Sequence, residues 1–167
     1  MKPLADCHQF TSSSSFSPTS KHCVFRCGES WYSVPAVSVR EIVMAPNLVR
    51  VPSCHQALVG LGHLRGEFIP VIALDRLMGT GSAQEASQLN CLLVFQGSSI
   101  WSLLVSDSAA LESIETIVSP DGRGENANSV VIGTALFQDR IVRVLNPAGL
   151  LANAQQVLEQ FWQAAAD

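Results

Sequence analysis

The stretch Gly60 to Leu74 reads Gly-Leu-Gly-His-Leu-Arg-Gly-Glu-Phe-Ile-Pro-Val-Ile-Ala-Leu, and it restricts the fold more than any other part of the chain. It spells strand, tight turn, strand. Gly66 supplies the positive φ that a tight hairpin turn takes without steric cost. Arg65 stands beside it, at an exposed tip. After the turn, Phe68 to Leu74 is a nearly unbroken apolar strand that contains Pro70. Proline has no N–H to give a ladder, so this strand is expected at a sheet edge or a bulge. A guanidinium on a glycine turn between apolar strands suits a surface built for contact, and nothing in it resembles bond-breaking chemistry.

The rest of the chain extends the pattern. Cys23–Cys27, Gly28-Glu29-Ser30 and Trp31–Val34 read as a hairpin with a three-residue loop. Pro35 then suits the first position of a short helix, with Val39, Ile42 and Val43 at helical spacing. Leu48–Val51 reads as a short strand, and Ser53 as the cap of a short helix through Gln56, Ala57 and Leu58. Asp75–Met78 suits one helical turn. The polar stretch from Gly79 to Gln88 is the expected boundary between two lobes, near 79–89. Cys91–Phe95 and Ile100–Val105 form a hairpin, Ile114–Val118 a further strand, and Pro120–Asn128 is turn chemistry. Val130–Phe137 and Ile141–Leu145 make a last hairpin across Gln138-Asp139-Arg140. Asn146 caps a C-terminal helix with Pro147 at its first position, and Leu150, Leu151, Ala154, Val157, Leu158, Phe161 and Ala165 make one apolar stripe. Residues 1–20, with a serine run, read as a flexible tail. Many short strands between turns, with few helices, predict a mainly β molecule of two small barrels side by side.

Composition narrows the function. The chain has 167 residues, a hydrophobic fraction of 47% and a charged fraction of 14%, against about 25% charged in an average domain. That leaves apolar material for adhesive faces. A net charge of −4 offers no footprint for nucleic acid. No apolar run approaches the roughly 18–20 residues of a membrane span, and the N-terminus lacks a signal-peptide core, so a cytoplasmic protein is expected. The five cysteines, at 7, 23, 27, 54 and 91, are odd in number and irregularly spaced, which predicts buried reduced thiols rather than a disulfide framework. On a strand Cys23 and Cys27 would stand ~13 Å apart, too far to share a metal. The four histidines, at 8, 22, 55 and 63, make no metal motif, and Cys54-His55 is a poor nucleophile–base pair because strand neighbours point apart. No nucleotide-binding or hydrolase motif is present. No catalytic residue, cofactor or metal is expected. The reading that competes is a small β-barrel enzyme or metal protein using Cys and His.

Taken in order, these residues resemble the CheW-like chemotaxis coupling proteins. The resemblance rests on Tyr32-Ser-Val34, Val39-Arg-Glu41-Ile42, Gly60 before Leu64-Arg65-Gly66, Ile69-Pro70-Val71-Ile72 with Leu74, Ile132-Gly133, Ile141 through Asn146, and Leu150-Leu151. It covers a CheW-like domain over 21–152, with the end of the C-terminal helix, 153–167, beyond it. The resemblance implies two five-stranded SH3-like barrels and no catalytic site. It implies an adaptor that binds the cytoplasmic tip of a methyl-accepting chemoreceptor and the regulatory domain of a CheA-type histidine kinase. Other CheW-like proteins would join it in rings. A related circuit governing pilus motility or another non-flagellar output fits the same residues. By the same resemblance the interaction residues fall on Val37, Val39, Glu41, Gly60 and Arg65. Each has a plainer reading: Val37 and Val39 as core, Glu41 as a solvated charge, Gly60 as backbone geometry. The chain departs from the family at His63, where asparagine is usual, at Pro35, and at Ser106-Asp107 in place of a Val-Asp pair.

Overall fold

The computed structural model describes residues 19–80, 91–118 and 129–166. The turn stretch 120–128 and the expected tail up to residue 18 lie outside these, and the last tail position, Ser20, already begins a strand. Twelve strands form two six-stranded sheets, where five per lobe were expected. The first sheet holds β1 (Ser20–Cys27), β2 (Ser30–Pro35), β9 (Asp107–Ile114), β10 (Thr116–Val118), β11 (Val131–Phe137) and β12 (Arg140–Leu145), in the order β10-β11-β12-β2-β1-β9. The second holds β3 (Val39–Met44), β4 (Leu48–Val49), β5 (Leu58–Leu64), β6 (Glu67–Ala73), β7 (Cys91–Gln96) and β8 (Ile100–Val105), in the order β3-β7-β8-β6-β5-β4. Two α-helices, α1 (Leu74–Leu77) and α2 (Pro147–Ala166), and one 3-10 turn join the strands among the described residues.

The chain therefore leaves the first sheet after β2, builds all of the second, and returns. The sheets do not divide at 79–89: β6 before that stretch and β8 after it pair in parallel, Val71 to Ser102 and Ala73 to Leu104. The two ends of the chain are joined in the first sheet by the parallel pair β12–β2.

Period-two alternation explains the continuous apolar runs. In β7, Cys91, Leu93 and Phe95 face a central core between the sheets, while Leu92 and Val94 face a second core within their own lobe. β1 does the same, with Cys23, Phe25 and Cys27 in the central core and Val24 in the other lobe's core. Leu150 and Ala154 of α2 complete the central core. The pair Phe95–Trp101 stacks across β7–β8 at 4.5 Å between centroids, inside the favourable range for offset rings. Asn146 caps α2 as expected: its Oδ1 accepts the Ala148 N–H at 3.1 Å.

Several local expectations fail for identifiable reasons. Val39, Ile42 and Val43 lie on strand β3, not a helix; only Ala36–Ser38 makes a single 3-10 turn. Pairing with β7 along the sheet edge outweighs a short, ambiguous apolar spacing. Ser53 caps no helix, because it takes a left-handed φ of 51° in a turn that leads into β5. Pro70 is on an interior strand, between β5 and β8. It stands one position before the β6–β8 ladder begins, where a missing donor costs least. The β1–β2 loop has two residues, since Cys27 pairs with Ser30. β9 is a strand that the turn-like Ser106-Asp107-Ser108 conceals in the sequence.

Candidate protein-interaction surface

The β5–β6 turn is a two-residue loop with positive φ at both positions, Arg65 at 49° and Gly66 at 87°. That geometry matches the right-handed twist of the flanking strands. It points Arg65 outward, with 72% of its side chain exposed. Curling of the second sheet brings the tip over β3, 24 residues back in the chain. Nε of Arg65 donates to Glu41 Oε2 at 3.1 Å, and Nη2 stands 3.0 Å from the same oxygen in an ion pair. Glu41 is only 17% exposed. Its other oxygen faces Arg40 Nε at 3.7 Å, and Arg40 Nη1 reaches Glu67 Oε2 at 3.2 Å. Every ion pair among the described residues belongs to this cluster. The ion pair occupies one edge of the guanidinium, and the side chain as a whole stays largely open to solvent. Glu41 thus holds the arginine in place from beneath.

Beside the tip, register places side chains on one outward face. Val49 pairs with Leu61, Leu61 with Pro70, and His63 with Phe68. The His63 and Phe68 rings lie 5.0 Å apart, and Phe68 is 68% exposed. Val49 is exposed on the same face. Sequence reading missed this surface, although an apolar residue at the outward phase of a strand next to an arginine tip is its signal.

A second feature is a cleft of about 500 Å3, enclosed by the 3-10 turn at Val37, the β7–β8 turn and the start of α2. Phe95, Trp101 and Leu151 line it, and Val37 stands at its margin, 96% exposed. The five expected site residues therefore separate. Glu41 and Arg65 touch, and Val37 borders the cleft. Val39 is half-buried against the central core. Gly60 is buried, and a Cβ there would come 2.5 Å from the Val49 carbonyl oxygen, so its place in the fold is close backbone packing.

Little here supports bond-making chemistry. Among the described residues no group of three or more His, Cys, Asp or Glu is placed to hold a metal. Burial, with the Cys91 thiol beside it, pushes the Cys23 thiol up to about 11, which keeps it protonated and unreactive. No helix among the described residues is long and apolar enough to cross a membrane.

Comparison with known proteins adds the chain's relatives. The chain is 26% identical to Protein FrzA of Myxococcus xanthus over 143 residues, covering 83% of this chain and 89% of that protein. It is 23% identical to the chemotaxis protein CheW of Helicobacter pylori over 130 residues, covering 76% and 78%. The crystal structure of the scaffolding protein TtCheW from Thermoanaerobacter tengcongensis shares the fold, with a TM-score of 0.64, 22% identity, and coverage of 79% of this chain and 92% of that one. The CheW-like domain family matches residues 21–155, and the chain belongs to that family.

Proposed function

We propose that this CheW-family adaptor joins the cytoplasmic tip of a methyl-accepting chemoreceptor to the regulatory domain of a CheA-type histidine kinase, at membrane-associated receptor arrays. It works by holding both partners, with no catalytic step of its own. The observation that carries the reading is the pair of separate adhesive features on one double-lobed body: the Arg65 tip with its Phe68 face, and the Val37 cleft.

A receptor tip is a helical bundle, and a helix presents apolar side chains at three- and four-residue intervals to a groove. The cleft over Phe95, Trp101 and Leu151 suits it. The kinase domain then takes the hairpin tip, where the free donors of Arg65 reach carboxylates or carbonyls. Like-with-like contacts between CheW-like barrels that run head to tail close into rings. Each contact can be weak, since assembly multiplies them through effective concentration. Signalling requires that the adaptor touch two kinase states differently, because a ligand with equal affinity for both shifts neither.

Pull-down against purified kinase and receptor-bearing membranes tests this. Arg65→Glu places a second carboxylate over Glu41 and should cut kinase capture about tenfold or more, while receptor capture persists. Val37→Glu should do the reverse. Unchanged capture of both partners by both variants removes these surfaces from the interface.

A further inference from the structure

A second cavity opens where the segment after β4 meets the start of β5 and α1. It has a volume of about 230 Å3 and shares no lining residue with the cleft at Val37. Its charged lining is of one sign. Arg50 and Arg76 both border it, together with His55, Cys54 and Gln56, and no carboxylate does.

The surroundings leave this positive charge uncompensated. Arg40 and Arg65 are neutralised by Glu41 and Glu67. Among the described residues neither Arg50 nor Arg76 has a carboxylate within ion-pair distance. Asp75 is next to Arg76 in sequence but buried, and its Oδ1 accepts the Arg76 backbone N–H at 2.8 Å. The Arg76 guanidinium is positioned instead by the Gln56 carbonyl, to which Nη1 donates at 3.3 Å. One nitrogen is thereby fixed and the remaining donors stay available. His55 Nδ1 accepts the Ala57 N–H at 3.2 Å, so a neutral ring carries its proton on Nε2 and offers a further donor. Cys54 Sγ donates to the Val51 carbonyl at 3.0 Å, which steadies the turn that presents these groups.

We propose that this cavity binds a compact oxyanion, a phosphate or a carboxylate group, between the guanidiniums of Arg50 and Arg76. Planar guanidinium donors match the paired oxygens of either group, and a charge-assisted bond is about twice as strong as a neutral one. The volume lies below the roughly 300–1,000 Å3 of pockets that enclose drug-sized ligands, which suits a single anionic group. Two like charges lining one small cavity repel, and an anion between them removes that repulsion.

Amide chemical shifts of the full chain, followed during titration with sodium phosphate and separately with sodium succinate at ionic strength held constant with chloride, test the site. Saturable shifts at residues 50–59 and 76 are expected. Arg50→Gln, an exposed position that leaves the fold intact, should weaken the midpoint at least about tenfold. Arg143→Gln, exposed on the other sheet, should leave it unchanged. The anion with the lower midpoint identifies the preferred group. Shifts that do not saturate with either anion, or a midpoint that Arg50→Gln leaves unmoved, overturn the proposal.

Discussion

Arg65 occupies a left-handed conformation, at φ 49°, that costs a non-glycine residue roughly 1–3 kcal/mol. Its ion pair with Glu41 is largely solvent-exposed, and such pairs contribute about 0.2–1 kcal/mol. Stability does not account for an arginine there, which fits the contact role proposed for it. Gly60 is the opposite case. Its Cβ would meet backbone rather than a flexible side chain, so Gly60→Ala should cost about 1–3 kcal/mol through overpacking. A urea midpoint equal to wild type would contradict that. His22 is buried with Nδ1 unpartnered and Nε2 2.9 Å from Ser20 Oγ. Burial lowers its pKa below the ordinary value of 6.5. The unfolded chain therefore takes up this proton first as pH falls, so the stability from a neutral His22 is complete above about 6.5 and declines below it. His22→Gln should flatten the fall in urea midpoint between pH 7 and 5, and an unchanged slope would assign the acid sensitivity elsewhere.

At the scale of elements, α2 has two halves with different tasks. Leu150 and Ala154 enter the central core, whereas Phe161 and Trp162 lie against the turn after β4. The Phe161 ring meets His55 edge-on at 5.8 Å, and Trp162 Nε1 donates to the Ser53 carbonyl at 3.3 Å. A helix that starts at the end of β12 thus fastens a loop of the other sheet. Trp162→Ala should remove about 1 kcal/mol and raise amide hydrogen exchange at residues 53–57 before it affects β7 or β8. Uniform acceleration across the chain would show that the clasp is not local. The hairpins were legible because turn chemistry acts within four residues: Arg65-Gly66 and Gln138-Asp139 each place positive φ at both loop positions. β3 was not legible, because a six-residue apolar–charged mixture fits either period until a neighbouring strand pairs with it.

For the whole molecule, the order of strands forbids division into sequential halves. β3 and β6 precede the polar stretch at 79–89 while their partners β7 and β8 follow it, and β1 and β2 pair with β9 and β12. Fragments 1–85 and 86–167 should therefore fail to fold separately and should co-purify as one species when co-expressed. A dispersed amide spectrum from either fragment alone would contradict this. The same interleaving ties the two lobes together through strand pairing, which suits the proposed adaptor.

Most of the strands, the Arg65-Gly66 turn, the Asn146–Pro147 helix start and the exposed arginine followed from local chemistry, since alternation, capping and turn residues act over a few positions, whereas β3 and β9 did not. Which sheet each strand joins, the interior place of Pro70, the closing of Glu41 beneath Arg65 and the gathering of Arg50 with Arg76 did not. Those depend on ladders and curled sheets that bring together residues some 24 to 26 positions apart, and only the assembled fold gathers such groups at one place.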